Sequence, residues 1–575
     1  MALGILEPPI GEKAPGTTRY YGEPDAPQGR SSGDDDVPLK CDTRHGDAVI
    51  LIPQPSDDPN DPLNWPLWKR DVITFILCFA GILATSLSSI LAANTVVLVM
   101  HFQTSLGQAA VLTGYFVLGT GAAAIFFVPS GRVWGKRHLF LVGTCIIIAS
   151  GAWAGAVGRN YGSMAAARAI QGMGAAPFET LLNAAVGDLY FVHQRGVRMA
   201  ATNLAVFGAA FFTPIVTGKI TESMGWQWTF NLVAIFTAVT LPAVFLFCPE
   251  TAFRREPRPT VSGVVEQNGR VEKINWAPKS PSSATQHPAG MDDAPMPYPP
   301  GFVAFPTSSA MQPVGDARTP KKSFLQSLSL FDGRKTDERY WVLLLRPFPL
   351  LMNPAFVWAC LIQGTMIGWT VFIGVLVAIL FIGPPYFWGE VAAGYTYIGP
   401  FVGALVGFVL AGLLADSSVK VLTKLNKGIY EPEFRIFLVI PMLILGGIGL
   451  YGFGLTADAI SSGRYHYVIP PMFFGFETAG MVIGAVASSL YIVDGYRDIT
   501  VEAFTLTIIF KNMFSFVLTW YAYDWVTHTG MRRLMVIIAT IQVGVCLLSI
   551  PMYIWGKRIR AFFHRHDPLA MTRLR

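Results

Sequence analysis

Four ionisable residues lie inside otherwise apolar stretches: Arg168, Glu179, Glu477 and Lys511. A charged side chain at the centre of a bilayer costs at least ~2.5–3.5 kcal/mol, so each calls for a partner or a task. Arg168 and Glu179 are eleven residues apart. On a helix that spacing puts them about 20° from a common face with a rise of about 16 Å, too far to neutralise one another. Gln171 shares the face, so this helix carries a polar stripe that must meet protein or a water-filled cavity. A carboxylate in such a place can hold a cationic group or a proton but not both, which would couple their movements. The same groups could instead tie helices together, and Lys511 could be the partner of either carboxylate. Gln363, Trp369 and Asn94 are further candidates for a cavity wall, Trp369 by a cation–π contact with an amine or simply by packing.

The elements that must position these residues are apolar runs. The chain has 575 residues, 52% hydrophobic and only 14% charged. A soluble domain carries roughly 25% charge. Twelve runs near the length needed to cross a bilayer as helix fall at about 72–93, 108–130, 138–157, 162–190, 198–221, 226–248, 355–383, 391–415, 434–456, 466–491, 501–525 and 531–556. The reading is an all-α polytopic membrane protein of twelve transmembrane helices in two pseudo-symmetric six-helix halves. Residues 1–70 are expected to be a disordered cytoplasmic tail, 71–249 the first half, 250–352 a cytoplasmic linker, 353–557 the second half and 558–575 a cytoplasmic tail. No signal peptide is expected. A short repeat supports the two halves: Phe178-Glu179-Thr180 in span 4 and Phe476-Glu477-Thr478 in span 10.

Lys and Arg crowd the even-numbered connectors and the C-terminal tail, which puts both termini in the cytoplasm; Arg532 and Arg533 are the exception. The net charge of +6 is therefore read as topological, and no nucleic-acid partner is expected. Five of six cysteines lie in apolar runs and none has metal-ligand spacing, so neither a metal nor a cofactor is expected. There is no phosphate loop, no channel filter and no embedded Ser/His or His/Asp pair, so an ATP-driven pump, a channel and an enzyme are all disfavoured.

Several segments resemble the major facilitator superfamily. Arg168-Ala-Ile-Gln171-Gly172-Met-Gly174 resembles its RxxQGxG motif. Gly131-Arg132-Val-Trp-Gly135-Lys136-Arg137 resembles its DRxGR(K/R) loop, with Arg132 in place of the usual Asp. Thr213-Pro214-Ile-Val-Thr217-Gly218 is similar to a degraded GPxxGG antiporter motif, and Trp226-Gln-Trp228-Thr-Phe230 to the WRWxF start of span 6. Asp61-Pro-Leu-Asn64-Trp65-Pro66, Gly428 to Arg435 and Lys511-Asn512 are similar to the fungal twelve-span drug:proton branch, within it the histidinol/polyamine-type transporters. The resemblance implies alternating access around a midplane site lined by spans 1, 4, 7 and 10. It also implies a coupling role for Arg168, Gln171 and Glu179, and a conformational switch in the Gly131–Arg137 loop. The expected activity is proton-coupled transport of a small cationic or amine-containing solute by a monomer, with the plasma membrane as its site. Efflux of drugs or secondary metabolites is the alternative, and a non-transporting nutrient sensor a minor one.

Overall fold

The computed structural model describes residues 3–9, 14–19, 41–42, 49–50, 55–254, 266–267, 270–271, 321–382, 386–460, 465–496 and 499–574. Backbone in hydrocarbon must satisfy its own N–H and C=O groups, so the apolar runs form helices. Span 1 is Leu67–Ser89, span 2 Leu106–Trp134, span 3 Arg137–Gly155, span 4 Tyr161–Thr180 continued by Leu182–Leu189, span 5 Val192–Met224 and span 6 Trp226–Phe247. In the second half, span 7 is Pro354–Ile382, span 8 Ile398–Leu425 after a short helix Glu390–Tyr395, and span 9 Val439–Ile460. Span 10 is Ile469–Gly495, span 11 Thr500–Thr529, and span 12 Met531–Leu547 continued by Ser549–Arg565. Among the described residues eleven helices are long and apolar enough to cross a membrane. Span 4 is not among them: its twenty residues include Arg168, Gln171 and Glu179 and many Gly and Ala, which leave it too little apolar character.

Polar caps set several starts. At span 2 the Ser105 hydroxyl accepts from the Gln108 amide and the Gln108 side chain accepts from the Ser105 amide, each at 3.2 Å. At span 4 the Asn160 side chain accepts from the Ser163 amide at 3.2 Å. An even number of spans brings both ends of the chain to one face, here called the terminal face; the other is the opposite face.

Spans 1–6 share one apolar core and spans 7–12 another, with Phe211 of span 5 joining the second. Small residues allow close helix approach inside each half. Gly119 backs onto the Ala169 carbonyl and Gly172 onto that of Phe116, pinning span 2 to span 4. Gly403 meets the Gly475 backbone, and Gly480 and Gly484 meet Gly446 and Met442, so the small-residue pairs of spans 8 and 10 serve packing. Two seams join the halves. Spans 2 and 11 meet at Gly107 with Tyr523, Gly114 with Thr519 and Gly121 with Asn512. Spans 5 and 8 meet where Gly394 backs onto Pro214 and Phe212 lies 5.5 Å from Phe401, ring to ring.

The chain ends differ from the expected tails. Residues 3–9 and 14–19 are docked on the terminal face of the second half. Ile5 is wholly buried with Val419, Tyr430 and Phe434, and Thr18–Arg19 pairs antiparallel with Ile429–Tyr430. The Leu6 amide donates to the Ile554 carbonyl at 2.9 Å, and Lys557 meets Glu7 at 2.6 Å. An apolar side chain and a strand edge thus order part of a segment whose composition is that of a disordered chain. At the other end, span 12 runs on to Arg565 because Arg560 is buried against Glu433 (2.7 Å) and Glu431 (3.2 Å). Of the linker, residues 254–320 form a separate unit in which Glu266–Gln267 pairs with Arg270–Val271; the low-complexity middle lies outside the described residues. Residues 321–352 belong with the helical body and include the helical segments Tyr340–Leu345 and Phe348–Met352.

Candidate functional site

The polar stripe of span 4 is divided between two environments. Arg168 is completely buried inside the first half. Its Nη1 donates to the Leu87 carbonyl at 2.8 Å and to Gln171 Oε1 at 2.9 Å, and its Nε donates to the Leu112 carbonyl at 3.2 Å. Leu87 lies in the last turn of span 1, where carbonyls lack an intrahelical partner. The guanidinium stands 4.9 Å from the centre of the Phe116 ring. No carboxylate pairs with it among the described residues. Gln171, also buried, passes the network on by donating to the Ser150 carbonyl of span 3 at 3.2 Å.

Glu179 lies eleven residues further on, in the last turn before the break at Leu181. It is ion-paired with Lys511 of span 11, so the contact crosses between the halves. The Glu179 side chain is 26% exposed and that of Lys511 11%. Ser515, one turn from Lys511 and on its face of the helix, and the adjacent Asn512 are buried. Ser515 Oγ and Asn512 Nδ2 have no hydrogen-bond partner among the described residues. An acid and a base therefore meet between spans 4 and 11, with Ser515 one turn along from Lys511 and Asn512 turned toward Gly121 of span 2.

Glu477 is elsewhere. It is fully buried in the second half, where Thr370 of span 7 donates to its Oε1 at 2.8 Å and its Oε2 has no partner among the described residues. Spans 4 and 10 both start at the opposite face. Glu179 comes eighteen residues after Tyr161, whereas Glu477 comes eight after Ile469. A ten-residue offset is about 15 Å of helix, so the two Phe-Glu-Thr triplets are out of register. The residue at the depth of Glu477 is Arg168, seven beyond its helix start.

The remaining candidates are placed as follows. Gln363 is half-buried and lies 3.5 Å from the Ser488 hydroxyl of span 10. Trp369 is in the second-half core, its indole N–H donating to Gln542 at 3.0 Å. Asn94, buried at the break after span 1, accepts from the Thr221 hydroxyl at 2.7 Å. The structure brings Arg168 and Gln171 together; Glu179, Glu477, Trp369 and Asn94 occupy four separate places.

The Gly131–Arg137 loop lies at the terminal face. Gly135 has φ +95°, and a Cβ there would run into the Glu250 carboxylate. That carboxylate accepts from the amides of Lys136 (2.9 Å) and Arg137 (3.0 Å) at the start of span 3, where the helix dipole favours an anion. Lys136 pairs with Asp188 at the end of span 4, and Arg137 donates to the Phe245 carbonyl at 2.7 Å. Gly131 packs against Leu139 and Leu181. Arg132 crosses to the second half. It pairs with Glu502 at the start of span 11 and lies 3.4 Å from Glu338. Arg346 completes the group, 2.7 Å from Glu338 and 3.4 Å from Glu502. The inverted charge at Arg132 is thus answered by acids on the other side of the seam. Sequence reasoning missed Glu502, Glu338 and Arg346; the signal available was the sign of Arg132, which calls for an acid.

Residues 74–498 match the Major Facilitator Superfamily. An uncharacterized MFS-type transporter of Schizosaccharomyces pombe is 25% identical over 563 residues, covering 96% of this chain and 93% of its own length. Protein HOL1 of Saccharomyces cerevisiae is 23% identical over 90% of this chain and 91% of its own, and the MFS transporter cpaT of Aspergillus oryzae 24% over 88% and 90%. Among solved structures, the xylose transporter XylE from E. coli in a partially occluded inward-open conformation superposes with a TM-score of 0.54 at 12% identity, over 84% of this chain and 98% of that one. The twelve spans, their two cores and the match across most of the chain make this protein a member of the major facilitator superfamily.

Proposed function

We propose that the chain is a proton-coupled secondary transporter that moves a small cationic or amine-containing organic solute by rocking of its two halves. The observation that carries the reading is the Glu179–Lys511 pair. A carboxylate at the seam, partly open to solvent and held by a tethered ammonium, is a site where a protonated amine or a proton can take the place of Lys511. Asn512 and Ser515 supply unsatisfied polar groups for the same cargo, and Gln363 the wall of span 7. Arg168 and Gln171 set the shape of span 4 and so couple Glu179 to the rest of the first half. Glu477, Trp369 and Asn94 act from behind, through packing. The Arg132–Glu502–Arg346–Glu338 group opens and closes the seam at the terminal face.

The excess of Lys and Arg in the even-numbered connectors supports a cytoplasmic terminal face. On this reading the protein works in the plasma membrane, and as a monomer because one chain supplies both sides of the seam. Flux into proteoliposomes under an imposed pH gradient, screened across amines and neutral drugs, tests the reading. Glu179→Gln is expected to raise the KM for an amine at least tenfold and to remove the acceleration by the gradient. Amine flux at the parental rate with unchanged pH dependence would overturn it.

A second reading, efflux of a bulky neutral compound, is favoured by the aromatic seam of Phe207, Phe211, Phe212, Phe401, Phe408 and Phe474. Normal export by a chain with both Glu179 and Glu477 changed to Gln would select it.

A further inference from the structure

The last part of the linker has two faces. On one, Leu343, Arg346 and Leu350 are buried, and Arg346 reaches Glu338, Glu502 and the Leu574 carbonyl (2.6 Å). On the other, Trp341 (69% exposed), Leu345, Phe348 and Met352 project outward. Trp341 and Leu345 lie one turn apart on the α-helical part, and Phe348 and Met352 are the two ends of the 3-10 helix that follows. An exposed stripe of four large apolar side chains, one of them Trp, is costly in water and needs an occupant.

The surroundings identify that occupant. The Tyr340 hydroxyl donates to the Phe126 carbonyl of span 2 at 3.1 Å, and its ring lies 5.5 Å from that of Trp134. Phe126 is itself 51% exposed on a membrane-crossing helix, so the stripe continues the surface that faces lipid. Arg334 and Arg339 lie exposed just ahead of it, where headgroup phosphates would meet them. The segment Tyr340–Met352 is too short to cross a bilayer, and Trp is the side chain that favours its boundary.

We propose that residues 340–352 lie flat in the bilayer interface at the terminal face, anchored by Trp341, Leu345, Phe348 and Met352, and that this seat holds Arg346 and Glu338 in the ion group between the halves. The lipid surface is then a structural partner of the gate: a segment lifted from it withdraws two of the four charges. Neither part of the proposal depends on the identity of the cargo.

The full chain is reconstituted in vesicles of phosphatidylcholine and phosphatidylglycerol, and the emission of a Trp341→Phe variant is subtracted from that of the parent. The Trp341 difference signal is expected to be blue-shifted, and quenched more by lipid brominated near the headgroup than by lipid brominated at mid-chain. Quenching by aqueous iodide with no effect of bromolipid, or stronger quenching at mid-chain, overturns the seat. In nanodiscs of the same lipids, a Trp341→Glu/Phe348→Glu variant is expected to exchange amide hydrogens at 132–136 and 500–504 at least tenfold faster, with exchange in spans 6 and 9 unchanged as the control for folding. Unchanged exchange at both gate segments, or a uniform rise through the controls, overturns the link to the gate.

Discussion

Arg168 and Glu477 stand at nearly the same depth in the two halves, both fully buried, one a base and the other an acid. The first half surrounds its guanidinium with two carbonyls, an amide and an aromatic face; the second gives its carboxyl one hydroxyl. Neither has an opposite charge beside it among the described residues. Isolated buried charges cost stability even when hydrogen-bonded. Glu179 and Lys511 differ on both counts: they neutralise each other, and they do so across the seam. Charge kept inside a half shapes that half, while charge shared between halves can answer to which of them has moved.

The comparison can be broken most sharply at Arg168. Arg168→Met removes a buried charge, so it is expected to fold with a melting temperature no lower than the parent while losing at least a hundredfold in transport. A cooperative loss of both would make Arg168 structural only. Next, Arg132→Glu and Glu502→Arg are each expected to cut transport about tenfold, and the double exchange to recover part of it, since it restores that pair but sets like charges against Glu338 and Arg346; flux of the double variant no better than the singles would show that the sign pairing is immaterial. Glu477→Gln keeps an oxygen for the Thr370 hydroxyl and is expected to change the amine KM by less than threefold, against tenfold or more for Glu179→Gln. Equal effects would erase the distinction between the two carboxylates. The smallest effect is expected at Trp369→Phe, where loss of the bond to Gln542 costs about 1 kcal/mol, read as a fall of a few degrees in melting temperature with unchanged KM.

The twelve spans were legible because hydropathy is local: every expected run contains a helix. Their ends were not, since spans 11 and 12 extend through polar turns that tertiary contacts hold, as Arg560 does against Glu433. The Arg168–Gln171 stripe was legible from helical spacing. The pairing of Glu179 with Lys511 was open, because it depends on how two helices more than 300 residues apart are rotated. The Phe-Glu-Thr triplets fall in corresponding spans of the two halves but at different depths, because a match of three residues says nothing of where each sits along its helix. The order in residues 3–9 and 14–19 was hidden because Ile5 and the Thr18–Arg19 edge find their partners only in the second half.

That docking has a consequence for biosynthesis. Residues made first are held by residues made last: Leu6 by Ile554, Glu7 by Lys557, and the Pro15 carbonyl by Arg560. Until residues 419–434 have been made, residues 3–9 and 14–19 have none of these partners, and the contacts of Leu6, Glu7 and Pro15 close only when span 12 has emerged.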